Sequence, residues 1–138
     1  MKRNIKFRIW DIRKKKFIKN LDNFAIDCNG LVLRFYKESK KTEGYVITAN
    51  YFGGREEYIA QEFTGIKDEN GKKIYEGDIV ETSYFVGCIC YSKISSAFVL
   101  NLSKDIHIFD IDNSLLLCDT QGKLNIIGNI FENSELLK

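Results

Sequence analysis

From Ile79 onward the chain is a succession of short segments rich in β-branched and aromatic residues, IVETSYF, FVGCICYS, SAFVLNL, DIHIFDI and KLNIIGNI, set at near-regular spacing. Such a run predicts an all-β architecture, a sandwich or a small barrel. The first half reads the same way. Ile5, Phe7 and Ile9 alternate with Lys6, Arg8 and Trp10 at the period of a half-buried strand; Asp11 to Lys16 reads as a turn and FIKNL as the return. GLVLRFY and GYVITANYF flank the polar loop KESKKTEG as a longer hairpin. EEYIAQEF is assigned to a strand rather than a helix, because Tyr58, Ile59 and Phe63 suit one. With 44% hydrophobic and 13% aromatic residues the chain can bury a core without staples, which argues against disorder.

Proline is absent from all 138 residues, against an average of about 5%, so the turns fall to Gly, Asn and Asp. They are densest in TGIKDENGKKIYEGDIV, Thr64 to Val80. There Asp68-Glu69-Asn70-Gly71 predicts a tight turn between two pairing strands, and Glu76-Gly77-Asp78 a second. Gly71 and Gly77 are expected at positive φ, with Asp78 accepting hydrogen bonds from the turn amides. The tail FENSELLK predicts one helical turn, with Asn133 or Ser134 as N-cap and Glu135 where a negative charge suits the helix dipole.

The blocks RNIKFRIWD, QEFTGIKDENGKKIYEGDIV and IIGNIFENSELL, in that order, resemble three signature blocks of the YopX-like proteins of bacteriophages and prophages. The resemblance implies a phage or mobile-element origin and a mainly β fold containing a small SH3-like barrel. On that reading residues 1–62 form an N-terminal β-hairpin region and residues 63–138 the barrel, ending in the short helical turn, as one compact unit overall. Where the family's closing block has proline, this chain has Ser134. The resemblance carries no catalytic residues to transfer.

Charge is unevenly placed. Residues 1–20 hold nine Lys or Arg and one acid, a local charge of +8, so that with a total of +2 the remaining 118 residues carry −6. A basic end on an acidic body can be a footprint for phosphate or for an acidic partner, or a solvated hairpin tip. The basic start runs into IKFRIWD with no apolar core of a signal peptide, and no apolar run approaches the ~20 residues of a membrane span. These features predict a cytoplasmic protein of a bacterial host, without membrane contact. In that compartment Cys28, Cys88, Cys90 and Cys118 are expected to be small buried hydrophobes, neither bridged nor metal-bound.

Catalytic chemistry finds little support. His107 in DIHIFDI has no partner motif, and Asp110 and Asp112 lack the glycine and closing glutamate of a calcium loop. Gly53-Gly54-Arg55 reads as a two-glycine turn before it reads as a phosphate cradle. Glu76 and Asp78 sit inside a turn motif, with no sign of the burial that would shift a pKa. No cofactor and no metal are expected. The sequence therefore predicts a non-enzymatic accessory protein that engages a host protein or sequesters a host small molecule in an anti-defence or host-modulating role. Arg8, Trp10, Arg13, Arg55 and Tyr58 are the candidate contacts, since arginine forks and large aromatics dominate binding surfaces. Tyr51, Phe52, Tyr84 and Tyr91 are further aromatic candidates. The alternative is a nucleic-acid binder using Arg13, Lys14, Lys15 and Lys16. A homo-oligomer is compatible with either reading.

Overall fold

The computed structural model describes residues 4–37, 45–49, 51–52, 55–102, 114–120 and 123–137. The KESKKTEG loop beyond Lys37, Gly53, Gly54 and the DIHIFDI segment with His107, Asp110 and Asp112 lie outside the described residues. The protein is mainly β and divides into two compact units, one of Phe7–Gln61, the other of Met1–Lys6 together with Glu62–Lys138.

In the Phe7–Gln61 unit, β1 (Phe7–Asp11) and β2 (Lys16–Phe17) form a hairpin in register Trp10↔Phe17 and Asp11↔Lys16. Asp11 shapes its turn by accepting the Lys14 N–H at 2.8 Å, while Lys15 takes φ 51° at the tip. β3 (Phe24–Ile26), β4 (Val32–Lys37) and β5 (Tyr45–Ala49) make an antiparallel sheet, and β6 (Tyr51–Phe52) pairs with β7 (Arg55–Glu56). The segment read as strand around Tyr58 is β8 (Tyr58–Lys67), whose first residues belong to this unit beside β1. Ile9, Val32 and Tyr58 are buried together, with Ile18, Leu21, Phe24, Ile26 and Ala60 packed around them. Ile5 is not part of the expected alternation: it precedes β1 and is 55% exposed.

In the other unit, β8 continues from Glu62 and turns back on β9 (Lys73–Tyr75), with Phe63 opposite Tyr75 and Lys67 opposite Lys73. Phe63 N–H also donates to Lys6 O at 2.8 Å. The connecting turn is built as its residues suggest. Asp68 Oδ1 accepts the N–H groups of Asn70 and Lys72, and Gly71 sits at φ 78°. Next come β10 (Asp78–Glu81), β11 (Val86–Ser92), β12 (Ala97–Asn101), β13 (Ser114–Leu116) and β14 (Asn125–Asn129). They form an antiparallel sheet in the order β13-β12-β11-β10-β14 that curls as a half-barrel. The expected SH3-like character extends as far as that curl.

Consecutive residues on a strand face opposite sides, and on β10 both Ile79 and Val80 are completely buried. Val80 joins Ile74, Ile89, Leu100, Leu117 and Leu124 on one side. Ile79 joins Cys88 and Leu137 on the other. At this step the pairing with β14 is bulged: Gly128 stands opposite Ile79 and Ile126 opposite Val80, which leaves Ile127 as the extra residue on β14. Leu137 belongs to the terminal 3₁₀ turn Ser134–Leu137, so the C-terminal turn expected from FENSELLK covers the second face of this sheet. The Asn133 side chain does not cap that turn: its Oδ1 accepts the Asn129 N–H ahead of the turn, and it is the Asn133 carbonyl that accepts the Leu136 N–H.

Candidate functional site

The residues of Thr64–Val80 hold its two turns in place, as the sequence reading of this stretch expects. Thr64 Oγ1 donates to Ile74 O at 2.9 Å, Asp68 organises the first turn, and Gly77 holds φ 78° in the second. Asp78 is 1% exposed; its Oδ2 accepts the Tyr75 N–H at 2.8 Å and its Oδ1 the Asn129 Nδ2 at 3.3 Å.

Two expectations about this region and its neighbours need correction. Burial does reach Glu76, whose carboxyl is pushed above its ordinary value chiefly by desolvation and then by the nearby Glu62 carboxylate. A raised carboxyl keeps its proton in the folded chain over pH values at which the unfolded chain has released it. Stability therefore declines as pH rises from the ordinary glutamate value through the raised one. Glu76→Gln is expected to flatten that decline, leaving the variant more stable than the parent at pH 7.5 and no more stable at pH 4, as read by urea unfolding at both. The cysteines also differ from one another. Burial, followed by nearby acidic groups, pushes the Cys88 thiol up to about 12 and the Cys90 thiol to about 11, as suits packed hydrophobes, whereas Cys28 is exposed. Cys28 stands in a surface turn organised by Asp27, which accepts the Asn29 and Leu31 N–H groups, so no strand face is available to bury it.

The Phe7–Gln61 unit contains a pocket of about 400 Å³. Asp11, Lys14, Lys16 and Phe17 reach it from the β1–β2 hairpin. Lys19, Asn20 and Asn23 line it from the connection to β3. Phe24 and Arg34 are direct cross-strand partners on β3 and β4, so both arrive on one wall, and Tyr58 completes it. Arg34 Nη1 donates to the Tyr58 hydroxyl at 2.6 Å, and its guanidinium lies 5.7 Å from the Phe24 ring centre and 5.9 Å from that of Tyr58. The Phe24 and Tyr58 rings meet edge to face at 5.2 Å. This wall is therefore pre-set: a guanidinium held by two rings and a hydroxyl loses little freedom when it receives an anion.

Among the described residues, four cations, Lys14, Lys16, Lys19 and Arg34, and one carboxylate, Asp11, line the pocket. That carboxylate already accepts the Lys14 N–H and lies 4.0 Å from its Nζ. A concave site lined mainly by one sign of charge concentrates the field on an ion of the other sign.

Of the candidates read from sequence, Tyr58, Lys14 and Lys16 line the pocket. Trp10 does not reach it and is no surface anchor: it is 5% exposed, edge to face with Phe17 at 5.0 Å. Arg8 donates to Gln61 Oε1 at 2.8 Å and lies over Phe17, 4.5 Å from its ring centre. Arg13 pairs with Glu57 at 3.1 Å on the surface, a contact worth little energy. Lys15 stands at the hairpin tip outside the lining. Arg55 belongs to β7 by its backbone, and its side chain lies outside the described residues. Arg34, Phe24, Lys19 and Asn23 were not singled out by sequence reasoning. The available signal was the alternation of GLVLRFY, which puts Arg34 on a side of β4 where an apolar neighbour would ordinarily stand.

Among the described residues no helix is long and apolar enough to cross a membrane, and no group of three His, Cys, Asp or Glu could hold a metal ion.

Fold and pocket together define a mainly β protein of two units with a cationic, aromatic-walled pocket in one of them. The chain belongs to the YopX protein family, whose model matches residues 6–138. The resemblance carried by the three sequence blocks thus extends over nearly the whole chain. It is similar to the crystal structure of protein EF1440 from Enterococcus faecalis, at a TM-score of 0.60 and 26% identity, over 97% of this chain and 98% of that one. No curated protein matches.

Proposed function

We propose that this protein is a non-enzymatic accessory protein of a phage or other mobile element that sequesters an anionic small molecule of the bacterial host. The observation that carries the reading is the pocket with four cations against one carboxylate, backed by the ring-held Arg34. A holding rather than a converting role is supported by Asp11, the carboxylate of the lining, being committed to its own hairpin turn. A volume of about 400 Å³ is at the lower end of the roughly 300–1,000 Å³ usual for small-molecule sites, which favours a compact ligand over a length of nucleic acid. Of the four residues of the nucleic-acid alternative, Arg13 is paired with Glu57 and Lys15 lies outside the pocket lining, so the four do not form one phosphate-tracking row there.

Native mass spectrometry after incubation with a bacterial metabolite extract tests this. The expected result is a small anion retained at one per chain, released unchanged on denaturation, and lost when Lys16 and Lys19 are both replaced by Glu. A ligand released in altered form, or no retained ligand at all, overturns the reading.

A further inference from the structure

The two walls of the pocket differ in chemistry, and this difference narrows the ligand. The β1–β2 hairpin and the residues after it supply the ammonium groups, Lys14, Lys16 and Lys19, on exposed stems, beside the half-buried Phe17 ring. The residues that β3, β4 and β8 supply are planar: the half-buried Phe24 ring, the Tyr58 ring edge to face with it, and the Arg34 guanidinium near both. Point charges suit the oxygens of a phosphate, and rings and a guanidinium plane suit a flat heteroaromatic group. Asn20 and Asn23 also line the pocket; their side-chain amides carry both donor and acceptor and so match the edge of a base. Asn20 Oδ1 already accepts the Asp22 N–H at 2.8 Å, which leaves its NH₂ as the group to present.

Resting on the anion-capture reading above, we infer that the ligand is a nucleoside phosphate, its base on the Phe24–Arg34 wall and its phosphate on the lysines. Three features must act together for this ligand. Phosphate alone leaves the aromatic wall unused, a nucleoside alone leaves the ammonium groups unused, and a polynucleotide exceeds a site of about 400 Å³.

Isothermal titration of the full chain with AMP, adenosine, inorganic phosphate, pyrophosphate and a single-stranded oligonucleotide tests the inference, with GMP and UMP to sample other bases. The expected result is binding of at least one mononucleotide about tenfold or more tighter than its nucleoside and than either inorganic anion. Phe24→Leu, which removes the ring and keeps the apolar bulk, is expected to cost the mononucleotide about tenfold and pyrophosphate nothing. Lys16→Gln with Lys19→Gln is expected to weaken both. Circular dichroism and melting of each variant separate lost binding from lost folding. Pyrophosphate bound as tightly as every nucleotide, with Phe24→Leu neutral, overturns the nucleotide assignment and leaves anion capture standing. An oligonucleotide bound more tightly than the mononucleotides overturns it in favour of the nucleic-acid alternative. No binding of any of these probes also overturns it, and the mass-spectrometric experiment then decides the broader reading independently.

Discussion

Asp78→Ala is expected to lower the unfolding free energy by about 2–4 kcal/mol, since hydrogen bonds to a charged group contribute roughly 1.5–3 kcal/mol and each orphaned buried donor costs ~1–3 kcal/mol. The carboxylate is 1% exposed and joins two parts of the chain that are distant in sequence: the Tyr75 N–H of the turn, and the Asn129 side chain at the end of β14. Alanine leaves both donors without this acceptor, and the Asn129 side chain is itself buried. Asp78→Asn retains one side-chain oxygen and should lose distinctly less. Urea unfolding of the two variants provides the measurement. An alanine variant within ~0.5 kcal/mol of the parent, the range of an ordinary surface substitution, would show that the turn closes without Asp78.

The second large effect is expected at Gly87, in the middle of an apparently ordinary strand. A Cβ there would lie 2.5 Å from the backbone oxygen of Asn101 and 2.7 Å from Leu100 Cδ1. β11 and β12 pair in this region, with Cys88 opposite Asn101, and Leu100 is wholly buried. Neither neighbour can withdraw without breaking the ladder or opening the core. Gly87→Ala should therefore cost about 1–3 kcal/mol or more, the range of overpacked sites. Gly71 is the contrasting control: nothing lies within 4 Å of its added Cβ, and only its φ of 78° opposes a side chain. Its alanine variant should lose about 1–2 kcal/mol, the local cost of left-handed backbone. Equal melting temperatures for the Gly87 variant and the parent would mean that the strands separate more readily than their pairing implies.

These two residues also mark the limit of what the sequence makes legible. Turn chemistry is local: an Asx residue, a glycine two or three positions on and a following strand determine each other within a few residues. The turns at Asp68–Gly71 and Gly77 were therefore readable, as was the short terminal turn. Gly87 makes its close approach to Asn101, a residue from the next strand, and nothing within VGCICYS announces it. Trp10 presents the same difficulty in reverse. An amphipathic aromatic in a basic stretch reads as a surface anchor, yet its burial is decided by β2 returning Phe17 against it. Glu76 lies in an exposed-looking turn motif, and its desolvation and its proximity to Glu62 follow from the pairing of β8 with β9.

The pocket was half legible for the same reason. Lys14 and Lys16 stood out as a charge cluster and Tyr58 as an aromatic. Arg34 lies 24 residues from Tyr58 and meets it only because β4 and the first residues of β8 belong to the same unit. No local pattern joins the two, whereas the cross-strand pairing of Phe24 with Arg34 follows once the register of β3 on β4 is known.

The hydrogen bond from Phe63 N–H to Lys6 O has a wider consequence. The chain leaves one unit after Lys6 and re-enters it at Glu62, and this bond at 2.8 Å ties the points of departure and return side by side. Phe7–Gln61 is thus a guest segment spliced into a host whose own polypeptide is discontinuous. Adjacent splice points spare the host from spanning a gap when the guest changes length or sequence, the geometry that makes domain insertion tolerable. The host's buried residues, Ile74, Val80, Ile89, Leu100, Leu117 and Leu124, all lie after the second splice point. Substitutions in the pocket-bearing guest therefore replace none of these core residues, so the lining of the pocket can change while the frame keeps its own side chains.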